Sequence, residues 1–398
     1  MEHMPLAGYL VLDLTEGIAG PYCTKLLACY GAEVIKIERP RQGDPTRRMG
    51  PFFHDEAGPD KSCLFLYLNT SKKSVTLDLK GVAGRHIFLD LVRRADMVTE
   101  SFPPGYLKEL GLDYQSLEAI HPGLIMTSVT PFGQTGPYRD YKATEIVVNA
   151  LAGLMYITGE PDRVPLQTGG YIAQYAAGQT AYVATLTALF HQAVTGEGQH
   201  VDVSMMEANV DNLENWVMGR AVQDKPMPRL GKRHQSGYPS EIYPCEDGYV
   251  AVNVGRGSWP ALAEMMEEPR LLDPRYADPA TRSQHRVAID ALMQPWLSAH
   301  GKVEVYHAGQ ARRMAFGYVA TTEDVVRNPQ LQDRDYFVRV EHPETGEVLY
   351  PGLPFRLKAN DERFVCAPLL GEHTREVYGD KLGLTNEEMV TLKSQGVI

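Results

Sequence analysis

Between Tyr9 and Glu38 the chain reads strand, short helix, strand, and strands joined this way pair in parallel with a right-handed crossover. Tyr9 to Leu14 is a compact apolar run ending at Asp13-Leu14-Thr15, the pattern of a buried strand. Gly17-Ile18-Ala19-Gly20-Pro21 then turns the chain, with Pro21 suited to a first helical turn. Thr24 to Tyr30 follows as helix, Gly31 stops it, and Glu33 to Glu38 alternates as the second strand.

The pattern recurs. Ser74 to Leu79 reads as strand, Val82 to Arg94 as helix and Met97 to Glu100 as strand; Tyr114 to Ile120 is a short helix and Leu124 to Val129 another strand. Such alternation predicts an α/β fold with a doubly wound sheet. Glu145 to Tyr156 and Gln174 to Gln192 read as two long helices, and the small residues Ala176, Ala177, Gly178, Ala181 and Ala184 predict close packing of the second. His200 to Ser204 alternates as a strand.

Composition shifts after Val217. The polar, proline-bearing stretch from Asp224 to Lys232 predicts a linker, and Ile242 to Pro244 and Tyr249 to Val254 flank Glu246-Asp247-Gly248 as a hairpin. Helices around Trp259 to Met266 and Val287 to Ala299 complete a smaller α+β domain, and Pro329 to Pro354 reads as linker plus strands. The expected boundaries are a large-domain part at 1–217, a linker at 218–237, a small domain at 238–325, and a linker with a returning C-terminal part at 326–398.

Charge and cysteines narrow the function. With 39 basic and 50 acidic side chains the net charge is −11, which argues against nucleic acid or an anionic membrane as the main partner. The five cysteines, Cys23, Cys29, Cys63, Cys245 and Cys366, form no C-x-x-C pair, so neither a zinc site nor a disulfide framework is indicated. Reduced thiols, no leader-like N-terminus and no apolar run near the ~18 residues of a bilayer span predict a soluble cytoplasmic protein with no metal.

Gly17-x-x-Gly20 after a strand is an incomplete dinucleotide signal and reads more simply as a tight turn. The basic cluster Lys36, Arg39, Arg41, Arg47 and Arg48, with Lys72 and Lys73, falls where strands end and ligands bind in doubly wound sheets. It reads either as a site for a phosphorylated ligand or as a solvated loop. The histidines show no metal-ligand spacing; His234 is the one in a conspicuous loop.

Longer motifs carry a resemblance. Pro5 to Leu14, Ala19-Gly20-Pro21, Gly31 to Glu38, Gly43 to Arg47, Leu68 to Asp78 and Glu100 to Gly105 occur in order. Phe132-Gly133-Gln134-Thr135-Gly136-Pro137 and Thr195 to Ser204 follow. Together they closely resemble class III CoA-transferases, in register from Pro5 to about Met206 and more loosely through Asp247-Gly248-Tyr249 and Asn328-Pro329-Gln330. The resemblance implies a Rossmann-like large domain built from both termini, an inserted smaller domain, and interlocked dimers. It also implies CoA or acyl-CoA as substrate, with no metal or tightly bound cofactor.

Carried over residue by residue, it implies CoA contacts at Arg39, Leu77, Ser101, Phe102 and Lys142. Two positions depart: the family's Glu-Asn-Phe is Glu100-Ser101-Phe102, and a frequent basic residue is Glu109. The family nucleophile is an aspartate that attacks the acyl-CoA thioester to give a mixed anhydride and CoA thiolate. The thiolate then forms an aspartyl-CoA thioester, which passes CoA to the acceptor carboxylate. Here that position is Gln174, a neutral amide one methylene longer. The histidine used by the family's racemases is Thr144. Glu145 is the candidate substitute carboxylate, or an acid favoured at a helix start.

Three readings stay open. The leading one is the non-nucleophilic subunit of a heteromeric, succinyl-CoA-dependent transferase. The others are a self-sufficient homodimeric transferase and a CoA-binding pseudoenzyme.

Overall fold

The computed structural model describes residues 4–223, 228–233, 237–255, 257–357 and 364–398. Asp224 to Met227 of the expected linker, and His234, lie outside them.

Parallel strands β1 (Leu10–Leu14), β2 (Glu33–Glu38), β3 (Lys73–Thr76), β4 (Met97–Glu100), β5 (Ile125–Thr130) and β6 (Gln199–Ser204) form one sheet in the order β3-β2-β1-β4-β5-β6. This is a doubly wound order, with its switch point between β1 and β4. Successive side chains of a strand face opposite ways. Accordingly Val11, Val34, Met97 and Ile125 pack with Tyr22, Leu26, Ala177 and Ala181 on one face. Leu12, Ile35, Val98 and Met126 pack with Ile87, Phe88, Leu91 and Tyr378 on the other.

The first helix spans Ala19–Cys29, earlier than expected, and every residue in it is buried. Gly17 takes the left-handed conformation at φ +82, and a Cβ on Gly20 would lie 2.5 Å from the Thr15 side chain. The turn glycines thus have steric duties of their own. The long helix Ile172–Thr195 crosses the first at Gly178, where a Cβ would sit 2.6 Å from the Ala19 carbonyl oxygen. The small-residue stretch is the place of close packing.

The segment expected as one helix from Glu145 to Tyr156 is instead Glu145–Leu151 followed by Leu154–Ile157. Gly153 between them has φ +88, which ends the first helix. The chain divides into two compact units there: Met1–Leu154, Gln167–Val222 and Asp335–Ile398 form one, Met155–Leu166 and Gln223–Arg334 the other. Both ends of the chain therefore contribute to the unit that holds the six-stranded sheet.

In the second unit β7 (Ser240–Cys245), β8 (Gly248–Asn253) and β9 (Gly317–Tyr318) form an antiparallel sheet, with β7 and β8 joined as the expected hairpin. Helices Trp259–Met265, Arg286–Ser298 and Lys302–Ala311 close its core through Leu262, Ile289, Met293, Leu297 and Val305. In the first unit, β10 (Phe337–His342) and β11 (Gly346–Pro351) form a hairpin packed on Phe65 and Leu66. It follows a short helix, Pro329–Asp333, in the stretch expected as linker; Asn328 caps it by accepting from Gln330 N–H and Leu331 N–H.

Candidate active site

The basic cluster splits in two. Lys36 is buried against Asp44 at 2.8 Å, and Lys72 is buried against Asp13 at 2.9 Å. Arg47 is buried in a fork on Glu38, Nε to Oε2 at 2.7 Å and Nη2 to Oε1 at 2.8 Å, and lies over the Phe65 ring. These three cations are part of the interior, because a buried charge is tolerated only when paired. Lys73 ties Glu33 to Glu376, and Arg48 donates to the Gln42 carbonyl. The cluster as a whole is therefore no phosphate cradle; Arg39, Arg41 and Arg48 are its exposed members.

Asp13 anchors the interior network. Its carboxylate accepts from Thr15 N–H, the Thr15 and Thr24 hydroxyls and Lys72. Burial alone would raise its pKa, but Lys72 and Lys36 prevail and hold it at about 2. Burial pushes Lys72 down to about 8 against the pull of Asp13.

At the carboxyl ends of β1 to β4 opens a cavity of about 510 Å³, lined among others by Glu16, Arg39, Arg41, Leu77, Lys80 and Phe102. It borders the switch point, where doubly wound sheets bind ligands. Three of the expected contact residues, Arg39, Leu77 and Phe102, meet there. Ser101 stands behind the wall, accepting from Glu16 N–H at 2.8 Å. Tyr106 packs on Phe102 with ring centroids 4.8 Å apart. Lys142 is exposed and lies outside this lining.

Gln174 and Glu145 lie outside it too, but they meet each other. Gln174 is the third residue of the helix Ile172–Thr195. Glu145 Oε1 accepts from Ala173 N–H at 2.9 Å and Asn149 Nδ2 at 2.8 Å, and Oε2 accepts from Gln174 N–H at 3.3 Å. The carboxylate thus serves the open amides and positive end of that helix. Asn209 reinforces the junction through the Ala173 carbonyl at 2.9 Å.

A second cavity, about 420 Å³, includes Glu100, Ser128, Gln134, Arg139 and His200 in its lining. Ser128 Oγ is 2.9 Å from His200 Nε2. Burial raises the Glu100 carboxyl to about 7, although Ser128 and the Phe102 N–H, which donates to it at 2.6 Å, pull the other way. Among the described residues no group of three or more His, Cys, Asp or Glu stands together as a metal site.

Arg41 of the basic cluster lines the first cavity, and Glu16, Lys80, Tyr106 and the C-terminal Ser394-Gln395-Gly396 line it without having been singled out in the sequence. Glu16 and Lys80 follow the ends of β1 and β3 closely, so asking what trails each parallel strand would have found them. Nothing local marks Ser394 to Gly396; they arrive because Asp78 N–H binds the Val397 carbonyl at 2.8 Å.

Known proteins agree with this architecture. The family model described as CoA-transferase family III matches residues 6–374. The formyl-CoA:oxalate CoA-transferase of Streptomyces avermitilis is 35% identical over 99% of this chain and 99% of its own length. Succinyl-CoA:(R)-benzylsuccinate CoA-transferase subunit BbsE of Thauera aromatica is 34% identical, over 93% of this chain and 92% of its own. The crystal structure of a CAIB/BAIF family protein from Brucella suis superposes with a TM-score of 0.85 at 30% identity, covering 95% of this chain and 99% of that one. With the fold, the motifs and the family match in agreement over nearly its whole length, the chain belongs to CoA-transferase family III.

Proposed function

We propose that this chain is the non-nucleophilic subunit of a CoA-transferase, working with a homologous chain that supplies the reactive carboxylate. The observation that carries this reading is the head of the helix Ile172–Thr195. An amide, Gln174, occupies the position of the family's aspartate, and the nearby carboxylate of Glu145 is engaged by two backbone N–H groups. An amide oxygen is a poor nucleophile, and a carboxylate committed to a helix terminus has to break those bonds before it can attack.

The proposed reaction moves CoA from an acyl-CoA, with succinyl-CoA the favoured donor, to a carboxylic acid. The donor follows the Thauera relative, whose name specifies succinyl-CoA and a subunit. CoA enters the cavity beside Arg39, Leu77 and Phe102, with Ser101 backing its wall and Lys142 contributing from its exposed loop. No tightly bound cofactor or metal takes part.

An interlocked pairing of chains is supported by an apolar stripe on the helix Ile172–Thr195. Val183, Phe190 and Val194 are 61%, 74% and 71% exposed, and Val217, Met218 and Val222 add to the apolar surface of this unit. Exposed apolar surface of this kind suits a face for another chain. A cytoplasmic setting fits the five unpaired cysteines. Among the described residues no helix is long and apolar enough to cross a membrane.

The test is CoA transfer by the purified chain alone and after mixing with a homologous chain that keeps the aspartate. Activity only on mixing supports the proposal. Activity of the chain alone, with hydroxylamine trapping an acyl group on Glu145, establishes the self-sufficient homodimer instead. CoA binding without turnover in either assay leaves a CoA-binding pseudoenzyme.

A further inference from the structure

Among the described residues, Arg39 is the one cation of the first cavity that already has a carboxylate partner in that wall. Its Nη2 lies 3.0 Å from Glu16 Oε1 and 3.1 Å from Oε2. Arg41 and Lys80 also line the cavity, and neither side chain has an acidic partner among the described residues. Glu16 is held from behind. Its N–H donates to Ser101 Oγ at 2.8 Å, and that hydroxyl is 3.2 Å from the Glu16 carbonyl. The backbone therefore delivers the carboxylate to Arg39 from a fixed point.

We infer that Glu16 governs the affinity of this cavity for phosphate-bearing ligands, because its carboxylate occupies the Arg39 guanidinium that a phosphate would use. A phosphate reaching Arg39 has to displace Glu16, and the displaced carboxylate then faces a ligand of its own sign. The Arg39 side chain is 58% exposed and that of Glu16 28%, so the pair is screened and opens readily. Occupation by Glu16 thus weakens binding without closing the site. Arg41 and Lys80 remain free to receive the ligand first.

This inference rests on the reading that CoA enters the first cavity, and the experiment separates the two. Calorimetric titration with CoA at low ionic strength is run on the wild type, Glu16→Gln, Arg39→Gln and the double variant. The expected result is that Glu16→Gln binds about three- to tenfold more tightly, as befits removal of one partly screened charge. The gain should shrink as salt is added. It should also disappear in the Arg39→Gln background, because a double-mutant cycle isolates the coupling between the two side chains. Weaker CoA binding by Arg39→Gln with no gain from Glu16→Gln overturns the role of Glu16 and leaves the cavity reading intact. A gain that survives without Arg39 also overturns it, since it shows general repulsion and not competition. CoA binding that is absent throughout, or indifferent to Arg39, sinks the cavity reading and the inference with it.

Discussion

Removing the Glu145 carboxylate should loosen the start of one helix and little else. In Glu145→Ala the amides of Ala173 and Gln174 lose their acceptors, now at 2.9 and 3.3 Å. Asn149 keeps a partner, since its Nδ2 also donates to the backbone carbonyl of residue 145 at 3.0 Å. Losing a helix-capping acceptor costs about 1 kcal/mol. Losing a buried negative charge at the positive end of a helix costs about 1 kcal/mol more. An unmet buried N–H adds about 1 kcal/mol. Together these make roughly 3 kcal/mol, which is on the order of a hundredfold in a local opening constant. The assay is amide hydrogen exchange of a peptide covering residues 167–178. The alanine variant should lose about a hundredfold in protection, and Glu145→Gln, which keeps an oxygen acceptor, roughly fivefold. Unchanged protection in Glu145→Ala would refute the capping role. So would an acyl group trapped on Glu145 of the wild-type chain during turnover.

Gln174→Asp places a carboxylate at the third residue of that helix, and hydroxylamine should then trap an acyl group at position 174 that the wild type does not form. Asp13→Asn leaves Lys72 and Lys36 buried without their shared anion, and should destabilise the first unit by about 3–5 kcal/mol in urea unfolding. The Asp13 carboxyl is held at about 2 in the fold, below its usual value, so its stabilisation is full above about pH 4 and lost as pH falls toward 2. The asparagine variant should lack that part of the acid transition. Glu100 has the opposite sign. Its folded pKa is raised to about 7, so its contribution favours the fold below about pH 4 and is lost as pH rises to 7. Thermal midpoints of the wild type should fall across that window, and those of Glu100→Gln should fall less.

Much of the large unit was legible because buried parallel strands are short apolar runs between turn residues. β2 and β4 matched to the residue, and β1, β5 and β6 to within one. The hairpin of β7 and β8 was equally plain, since Glu246-Asp247-Gly248 leaves little choice of turn. Glu145 to Tyr156 misled because helical periodicity ran on past Gly153, whose left-handed conformation a pattern of apolar residues does not reveal. The cluster from Lys36 to Arg48 misled for a different reason. Sequence counts charges but does not tell which are cancelled inside, and Asp13, Glu38 and Asp44 cancel Lys72, Arg47 and Lys36. The resemblance marks Gln174 as standing where the family has a carboxylate. The grip of Glu145 on the same helix start was not legible, because the two stand 29 residues apart in the chain.

The loop that carries Arg39 and Arg41 is stapled at both feet. Lys36 meets Asp44, Glu38 meets Arg47, and Asp44 N–H donates to Glu38 Oε2 at 2.9 Å, all out of contact with water. On the proposed reading, an arriving anion finds its arginines already mounted and does not have to organise a slack segment first. A lesion in those staples would surface as poor substrate capture. A variant at Arg47, whose buried guanidinium does not line the cavity, would thus look like a binding defect in kinetics.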